Sequence, residues 1–275
     1  MILHVPLGNY MAAVYTSGSD LRVERAVYRL VGVQPDVQQR WTRYPSSLLA
    51  FSVASVLVLY ALLLLQVNAP EPCGHKGLTP ALAFNTAISF TTNTSWQNYP
   101  GESTLGHIGL VAGLGVQAFA SAAVGMCVAI ALIRGLIATQ NGELGNFWVD
   151  LVRTVVRILL PLAIVLGVML LALGVVANFG GVHEVSTLAG GTQTIPGGPV
   201  AAWEPIKLMS GDPGGAFNVN SAHPFENPTP ASSLIEIVAM LLIPLAFVRT
   251  FGVMIGSKNA RLNTIRRRRR SHRGH

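Results

Sequence analysis

The chain is short of charge. Only 11% of its 275 residues are Asp, Glu, Lys or Arg and 51% are hydrophobic, where a soluble domain carries about 25% charged residues. That excludes an ordinary water-facing surface over most of the molecule. Cysteine is also scarce. Cys73 stands in a loop and Cys127 in an apolar run, far from each other, which excludes a metal-ligand spacing or a disulfide framework and leaves two inert thiols. No GxxxxGK phosphate loop, no DKTG-like phosphorylation segment and no Ser-His-Asp set is discernible. Catalysis, ATP hydrolysis and an organic cofactor are therefore not expected of this chain. The first 45 residues have no long apolar run and their charges begin after Gly18, so no signal peptide is expected there.

What the chain has instead is long apolar runs. A membrane span needs about 20 mostly apolar residues, and four stretches qualify: roughly 46–66, 106–137, 149–177 and 231–255. Pro161 and Pro244 lie inside the last two and are tolerated where neighbouring groups satisfy the freed carbonyls. Basic residues set the orientation. Residues 1–45 hold Arg22, Arg25, Arg29, Arg40 and Arg43; the middle connection and its flanks hold Arg134, Arg153 and Arg157; the end of the chain holds Arg249, Lys258, Arg261 and an arginine run. The other two connections hold one basic residue each, Lys76 and Lys207. Both termini and the middle connection are thus expected in the cytoplasm, with the two long polar loops outside. The net charge of +7 comes mostly from the tail RLNTIRRRRRSHRGH, which suits contact with anionic lipid better than nucleic acid. The segment DLRVERAVYRLVGV interleaves apolar residues with Arg22, Arg25 and Arg29, as a membrane-surface or docking helix does.

Both outward loops share a plan. Each carries a half-helix too short to span, about 79–90 and about 200–209, followed by a polar return: TTNTSWQNYPGEST in the first, SGDPGGAFNVNSAHPFENP in the second. The expected fold is an all-α membrane protein of four transmembrane helices with two re-entrant pore helices. A cytoplasmic segment 1–45 precedes a span–pore–span unit at 46–137; a connection at 138–148, a second unit at 149–256 and a basic tail at 257–275 follow. A half-helix ending at depth exposes backbone carbonyls, which is tolerated only beside a cavity or within protein. Rings of such carbonyls replace the hydration shell of a monovalent cation.

The candidate oxygen donors in the first loop are Thr92, Asn93, Thr94, Ser95 and Gln97, placed where a helix C-terminus aims its negative end. The same residues fit a polar surface loop, and Asn93-Thr94-Ser95 also matches a glycosylation sequon. In the second loop, Gly214 and Gly215 allow the backbone conformations of a carbonyl-lined turn, and also those of an outer turn. His223 and Glu226 are three apart, but Pro224 and Pro228 break the helix that would align them as metal ligands; a rigid turn at the pore rim is expected. The glycines of GHIGLVAGLGVQAFASAAVG follow no strand, so they suit close helix packing rather than a dinucleotide. Gln117 and Glu236 are polar within spans and are candidates for a pore vestibule. Asp150, Arg153 and Arg157 share one helix face, a spacing that allows them to pair as a cytoplasmic anchor.

These segments resemble the potassium-binding subunit of the Kdp-type, ATP-driven potassium pump. The resemblance runs through PLGNYMAAVY, ERAVYRLVGV, LAFNTAISFTTNTSWQNYPGESTL, LGNFWVDLVR, QTIPGGPVAAWEPIKLM and FNVNSAHPFENPT, covering about residues 6–256. It implies that Thr92, Asn93, Thr94, Ser95 and Gln97 form a first potassium filter, and that Gly211, Asp212, Gly214 and Gly215 belong to a second. It implies K+ as the transported ion, selected from outside and passed to a P-type ATPase subunit, with two smaller accessory subunits, in the bacterial inner membrane. Three departures accompany it. The family has a helix before PLGNYM and two further span–pore–span units. The Arg-rich tail is unlike the family. Pro213 and Ala216 stand where a glycine and an aromatic are usual, and proline fixes φ and removes an N–H. Two filters of four cannot ring an ion, so a truncated form is expected. A component of a passive potassium channel or transporter, or a non-transporting remnant, are the other readings of the same residues.

Overall fold

The computed structural model describes residues 3–66, 77–137, 142–180, 183–211 and 214–271, as backbone alone beyond 256. Cys73, Lys76, Asp212 and Pro213 therefore lie outside the described residues. In chain order the helices are α1 His4–Thr16, α2 Arg22–Val31, α3 Arg43–Leu65, α4 Pro80–Thr91, α5 Gly109–Ile137, α6 Phe147–Ala172, α7 Val200–Ser210 and α8, which runs Pro230–Ser271 and is apolar over Pro230–Gly256. A single helical turn at Gly101–Thr104 and two short antiparallel strand pairs complete the described structure: β1 Gln39–Arg40 with β2 Glu143–Gly145, and β3 His183–Ser186 with β4 Thr192–Ile195.

Among the described residues, α3, α5, α6 and Pro230–Gly256 are long and apolar enough to cross a membrane, in agreement with the four stretches read from hydropathy. The third ends earlier than its apolar run. Gly174 takes a positive φ of 96°, and the amides of Gly174 and Val175 donate back to the carbonyls of Leu171 and Leu170. This reversal closes a helix with left-handed glycine and buries an apolar residue on each side of it, here Leu170 and Val175. Two spans carry a π-helical stretch, Gly109–Gly115 in α5 and Thr154–Leu159 in α6. The second lies just ahead of Pro161, whose missing N–H breaks the α-helical ladder there.

The chain divides into two compact units. The first is Met1–Ser46 with Met126–Thr154 and Leu241–His275; the second is Ser47–Gly125 with Val155–Met240. In the first unit, α1 buries Met11, Ala12, Val14 and Tyr15. The run of apolar residues there is too short for hydropathy to signal it, and Pro6 sits in the first turn, where a proline is harmless. Gly8 lies against α8: a Cβ there meets the Ala246 carbonyl and Arg249 Cβ at 2.6 Å, and Thr250 Oγ1 donates to the Gly8 carbonyl at 3.0 Å. Helix α2 forms as its amphipathic pattern predicts. Glu24 accepts from the Leu21 amide at 2.8 Å, and Gly32 ends the helix at a φ of 72°.

The centre of this unit is a buried ion pair. Arg134 donates through both terminal nitrogens to Asp150, Nη1 to Oδ2 at 2.5 Å and Nη2 to Oδ1 at 2.9 Å. Its other hydrogens go to the carbonyls of Leu144 and Tyr15 at 2.9 and 3.1 Å. Tyr44 donates to Asp150 Oδ2 at 3.0 Å, and Arg153 reaches Asp20 at 2.8 Å. Asp150 thus does not pair along its own helix with Arg153 and Arg157. The planar guanidinium of Arg134 matches both carboxylate oxygens at once, which a neighbour one turn away on the same helix cannot do as well. Removing one partner of a buried pair strands the other, at a cost of about 3–5 kcal/mol. The Arg134 side chain is 20% exposed and that of Asp150 2%, so the lower end applies. Asp150→Asn is expected to destabilise the protein by about 3 kcal/mol, read as a drop in thermal midpoint in detergent; a midpoint unchanged from wild type rules out this role.

Candidate functional site

The site forms in the second unit, from two helices that stop. Thr79 caps α4 by accepting from the Leu82 amide at 3.4 Å, and Pro80 fills the first helical position, where its missing N–H costs nothing. With 12 and 11 residues, α4 and α7 are about 18 and 16 Å long, well short of a hydrocarbon core of about 30 Å.

The C-terminal end of α4 is wrapped by its own chain. The amide of Thr92 donates to the Ile88 carbonyl, those of Thr94 and Ser95 to the Ser89 carbonyl, and that of Trp96 to Ser89 Oγ at 2.7 Å. Asn93 and Ser95 make the turns with φ of 59° and 48°. Asn tolerates this region; serine adopts it at a cost. The N–H groups are drawn into the helix end, and the carbonyls of Thr92, Asn93 and Thr94 remain outside these bonds. The end of α7 is turned by Gly211 at a φ of 74°, its amide donating to the Lys207 carbonyl.

The two ends meet. Asn93 Nδ2 donates to the Ser210 carbonyl at 3.2 Å, and Phe90 packs on Trp203 with ring centroids 6.3 Å apart. The loops that follow touch backbone to backbone. A Cβ on Gly214 meets the Ser95 carbonyl at 2.6 Å and Phe90 at 3.0 Å. Gln97 Oε1 accepts from the Gly215 amide at 2.8 Å. Asn218 Nδ2 donates to the carbonyls of Gln97 and Tyr99 at 3.0 and 3.2 Å. Both helices thus direct the negative ends of their dipoles toward one pair of interlocked loops.

Of the residues read from sequence, Thr92, Asn93 and Thr94 are exposed while Ser95, Gln97, Gly214 and Gly215 are buried. Several of the side chains already have protein partners, Asn93 on the Ser210 carbonyl and the Thr92 and Thr94 hydroxyls on each other at 3.2 Å. The Thr92 hydroxyl donates to the Ile88 carbonyl at 2.9 Å, and Gln97 holds the second loop through its side-chain oxygen. Gln117 and Glu236 are both buried in this unit. Glu236 lies within electrostatic reach of Glu204, Lys207 and Glu226.

Of those last three residues, the sequence pattern drew attention to Glu226 as a neighbour of His223 and to Lys207 as the basic residue of its connection, but not to Glu204 or to the three as a group. Lys207 Nζ sits 2.9 Å from Glu204 Oε2 and 3.6 Å from Glu226 Oε1. Side-chain exposure is 2% for the lysine and nil for both glutamates. Ser221 donates to Glu204. Burial pushes the Glu226 carboxyl up to about 7, the Glu204 charge adding to this and Lys207 opposing it. One signal was available: Glu204 and Lys207 are three apart on a short helix, the spacing of an intrahelical ion pair. The expected rigid turn at 223–227 is present, with the Glu226 and Asn227 amides on the His223 carbonyl at 2.9 Å and His223 stacked on Phe217 at 3.9 Å. Beside it a cavity of about 450 Å³ is lined by Glu102, Gln193, Ile195, Phe217, His223 and Phe225 among others.

The model of the family described as potassium-transporting ATPase A subunit matches residues 1–265. The chain belongs to this family. Its relatives include proteins of Streptomyces coelicolor, 54% identical over 93% of this chain, and Mycolicibacterium smegmatis, 56% identical over 94%. A protein of Clavibacter michiganensis is 52% identical over 93%. Each is named potassium-transporting ATPase potassium-binding subunit. The chain covers 46%, 47% and 46% of them, so it spans about half the length of the curated relatives it matches. The family match also takes in residues before 6 and after 256, beyond the segments that carried the resemblance.

Two outcomes test this geometry. Gly214→Ala places a methyl against the Ser95 carbonyl, and overpacking of this kind costs about 1–3 kcal/mol; a thermal midpoint equal to wild type contradicts the close approach. The second concerns pH. The Glu226 carboxyl moves from an ordinary 4.5 to about 7 on folding, so between these values the folded protein holds more protons than the unfolded chain. Stability contributed by this group is therefore lost as pH rises through that window. Subtracting the pH profile of Glu226→Gln from that of wild type isolates the group from Glu204, Lys207 and Glu236. The difference is expected to fall from pH 4.5 to about 7 and then level; a flat difference contradicts the assignment.

Proposed function

We propose that this chain is a potassium-binding and translocating part of an ATP-driven potassium uptake complex. The observation that carries the reading is the convergence of two helix C-termini on interlocked, carbonyl-rich loops. Two dipole ends of the same sign stabilise a cation between them, and carbonyl oxygens replace its hydration shell. The names of the relatives supply the ion and the kind of complex.

In this reading Thr92, Asn93, Thr94, Ser95 and Gln97 make the first filter and Gly211, Asp212, Gly214 and Gly215 the second. α4 and α7 are re-entrant pore helices, and the chain is organised as span–pore–span units at 46–137 and 149–256. Backbone carbonyls take the larger share of coordination, since the side chains of Thr92 and Gln97 have protein partners. Gln117 and Glu236 line the approach. The ion passes to a P-type ATPase subunit, which does the chemistry, and two small subunits complete the assembly in the bacterial inner membrane. The basic residues of segment 1–45, of the flanks of 138–148 (Arg134, Arg153 and Arg157) and of the tail support a cytoplasmic position for both termini.

Potassium should stabilise the purified, lipid-reconstituted chain. Saturation at about 100 times Kd corresponds to about 2.7 kcal/mol, seen as a rise in thermal midpoint with potassium chloride and no comparable rise with sodium chloride at equal ionic strength. Equal responses to the two salts, or none to either, overturn the proposal.

A further inference from the structure

Behind the second loop lies a group of buried charges whose presence fold stability alone does not explain. Glu204, Lys207 and Glu226 are within 2% of complete burial. Buried ions are costly to desolvate, and replacing such a set by apolar residues of similar volume is often neutral or stabilising. Their placement is specific. Gly215 has a φ of 150°, and a Cβ on it meets Glu226 Oε1, Trp203 Nε1 and Lys207 Nζ at 3.1, 3.2 and 3.3 Å. The loop backbone therefore rests on the charged group without a side chain between them.

Each charge also grips a different segment. Glu204 and Lys207 stand on α7, which leads into the loop. Glu226 packs against the backbone of Gly215, at the loop's exit, its Oε1 3.1 Å from where a Cβ there would stand. Glu204 accepts from Ser221, on the return. Between those two grips, Asn218, Asn220 and Ser221 all take positive φ, from 54° to 65°. Non-glycine residues persist in such conformations only where the surroundings over-determine them.

We infer that Glu204, Lys207 and Glu226 form a positioning clamp that fixes the carbonyls of the second loop and thereby sets discrimination between potassium and sodium. Lys207 is the joint: it ties the helix before the loop to the glutamate that holds its exit. Number and placement of coordinating carbonyls govern alkali-ion preference, so a loosened loop loses preference before it loses binding altogether. The inference rests on the potassium reading and adds to it the residues that decide selectivity, none of which touches the ion.

The test compares potassium and sodium affinities by competition on the full chain in lipid. The variants are Lys207→Met, the charge-free triple Glu204→Gln/Lys207→Met/Glu226→Gln, and Glu226→Gln alone. The triple removes all three charges of the group together and is expected to keep a thermal midpoint closer to wild type than Lys207→Met. Lys207→Met and the triple are expected to lower the potassium-over-sodium ratio by about tenfold. Glu226→Gln keeps an oxygen facing Lys207 and is expected to stay within about threefold of wild type. A folded triple variant with the wild-type ratio overturns the clamp and leaves the potassium reading standing. A wild-type chain with no preference between the ions overturns that reading and the clamp with it. Glu226→Ala, which loses the contacts with Lys207 and the Gly215 backbone while sparing the Lys207 and Glu204 side chains, carries the same expectation as Lys207→Met should either of the first two variants fail to fold.

Discussion

The close approach of two backbones governs the second unit. Gly214 lies against the Ser95 carbonyl with no room for a Cβ, and Gln97 accepts the next amide along. Loops that pack in this way cannot move independently, so the ends of α4 and α7 are held facing one another. The helix lengths make the arrangement consequential. Helices of about 18 and 16 Å end partway across any bilayer they enter, and their last carbonyls need a partner there. The amides of Thr92, Thr94, Ser95 and Gly211 supply part of this need.

Charge is sparse in this chain, and where it is buried it is placed with care. In the first unit, Arg134 and Asp150 satisfy each other through two hydrogen bonds, and backbone carbonyls take the rest of the guanidinium. That is a closed set, and its effect is cohesion of the segments it joins. In the second unit, two carboxylates share one ammonium, so the set does not close. Burial raises the Glu226 carboxyl, and the neighbouring Glu204 charge adds to the rise while Lys207 opposes it. An excess of acceptors beside a carbonyl-rich loop also raises the electrostatic attraction for a cation.

The four spans were legible in the sequence because hydropathy sums over about 20 residues and local errors cancel. The two short helices were legible from their punctuation: Thr79-Pro80 opens one, and Gly211 closes the other. The amphipathic α2 followed from its charge spacing. Helix α1 was not legible as a helix, since its buried residues are few and hydropathy averages them away. Nor was the early end of α6, where a single glycine reversal outweighs an apolar sequence that continues past it. At the site, the loop residues were recognised as oxygen-rich, but their division of labour was not. Gln97 as a strut, Asn218 as a tie and Glu226 as a neighbour of Lys207 depend on partners far away along the chain.

By itself, the sequence determined that this is a helical membrane chain with four long apolar helices, because burial in lipid demands runs of about 20 apolar residues. It also determined the family, through segments dense in shared residues. Only the tertiary structure decided which charges meet. Arg134 and Asp150 are sixteen positions apart, and Lys207 and Glu226 nineteen. Ion pairing falls steeply with distance and desolvation, so its outcome is set by the last few ångströms of packing, which no local pattern encodes.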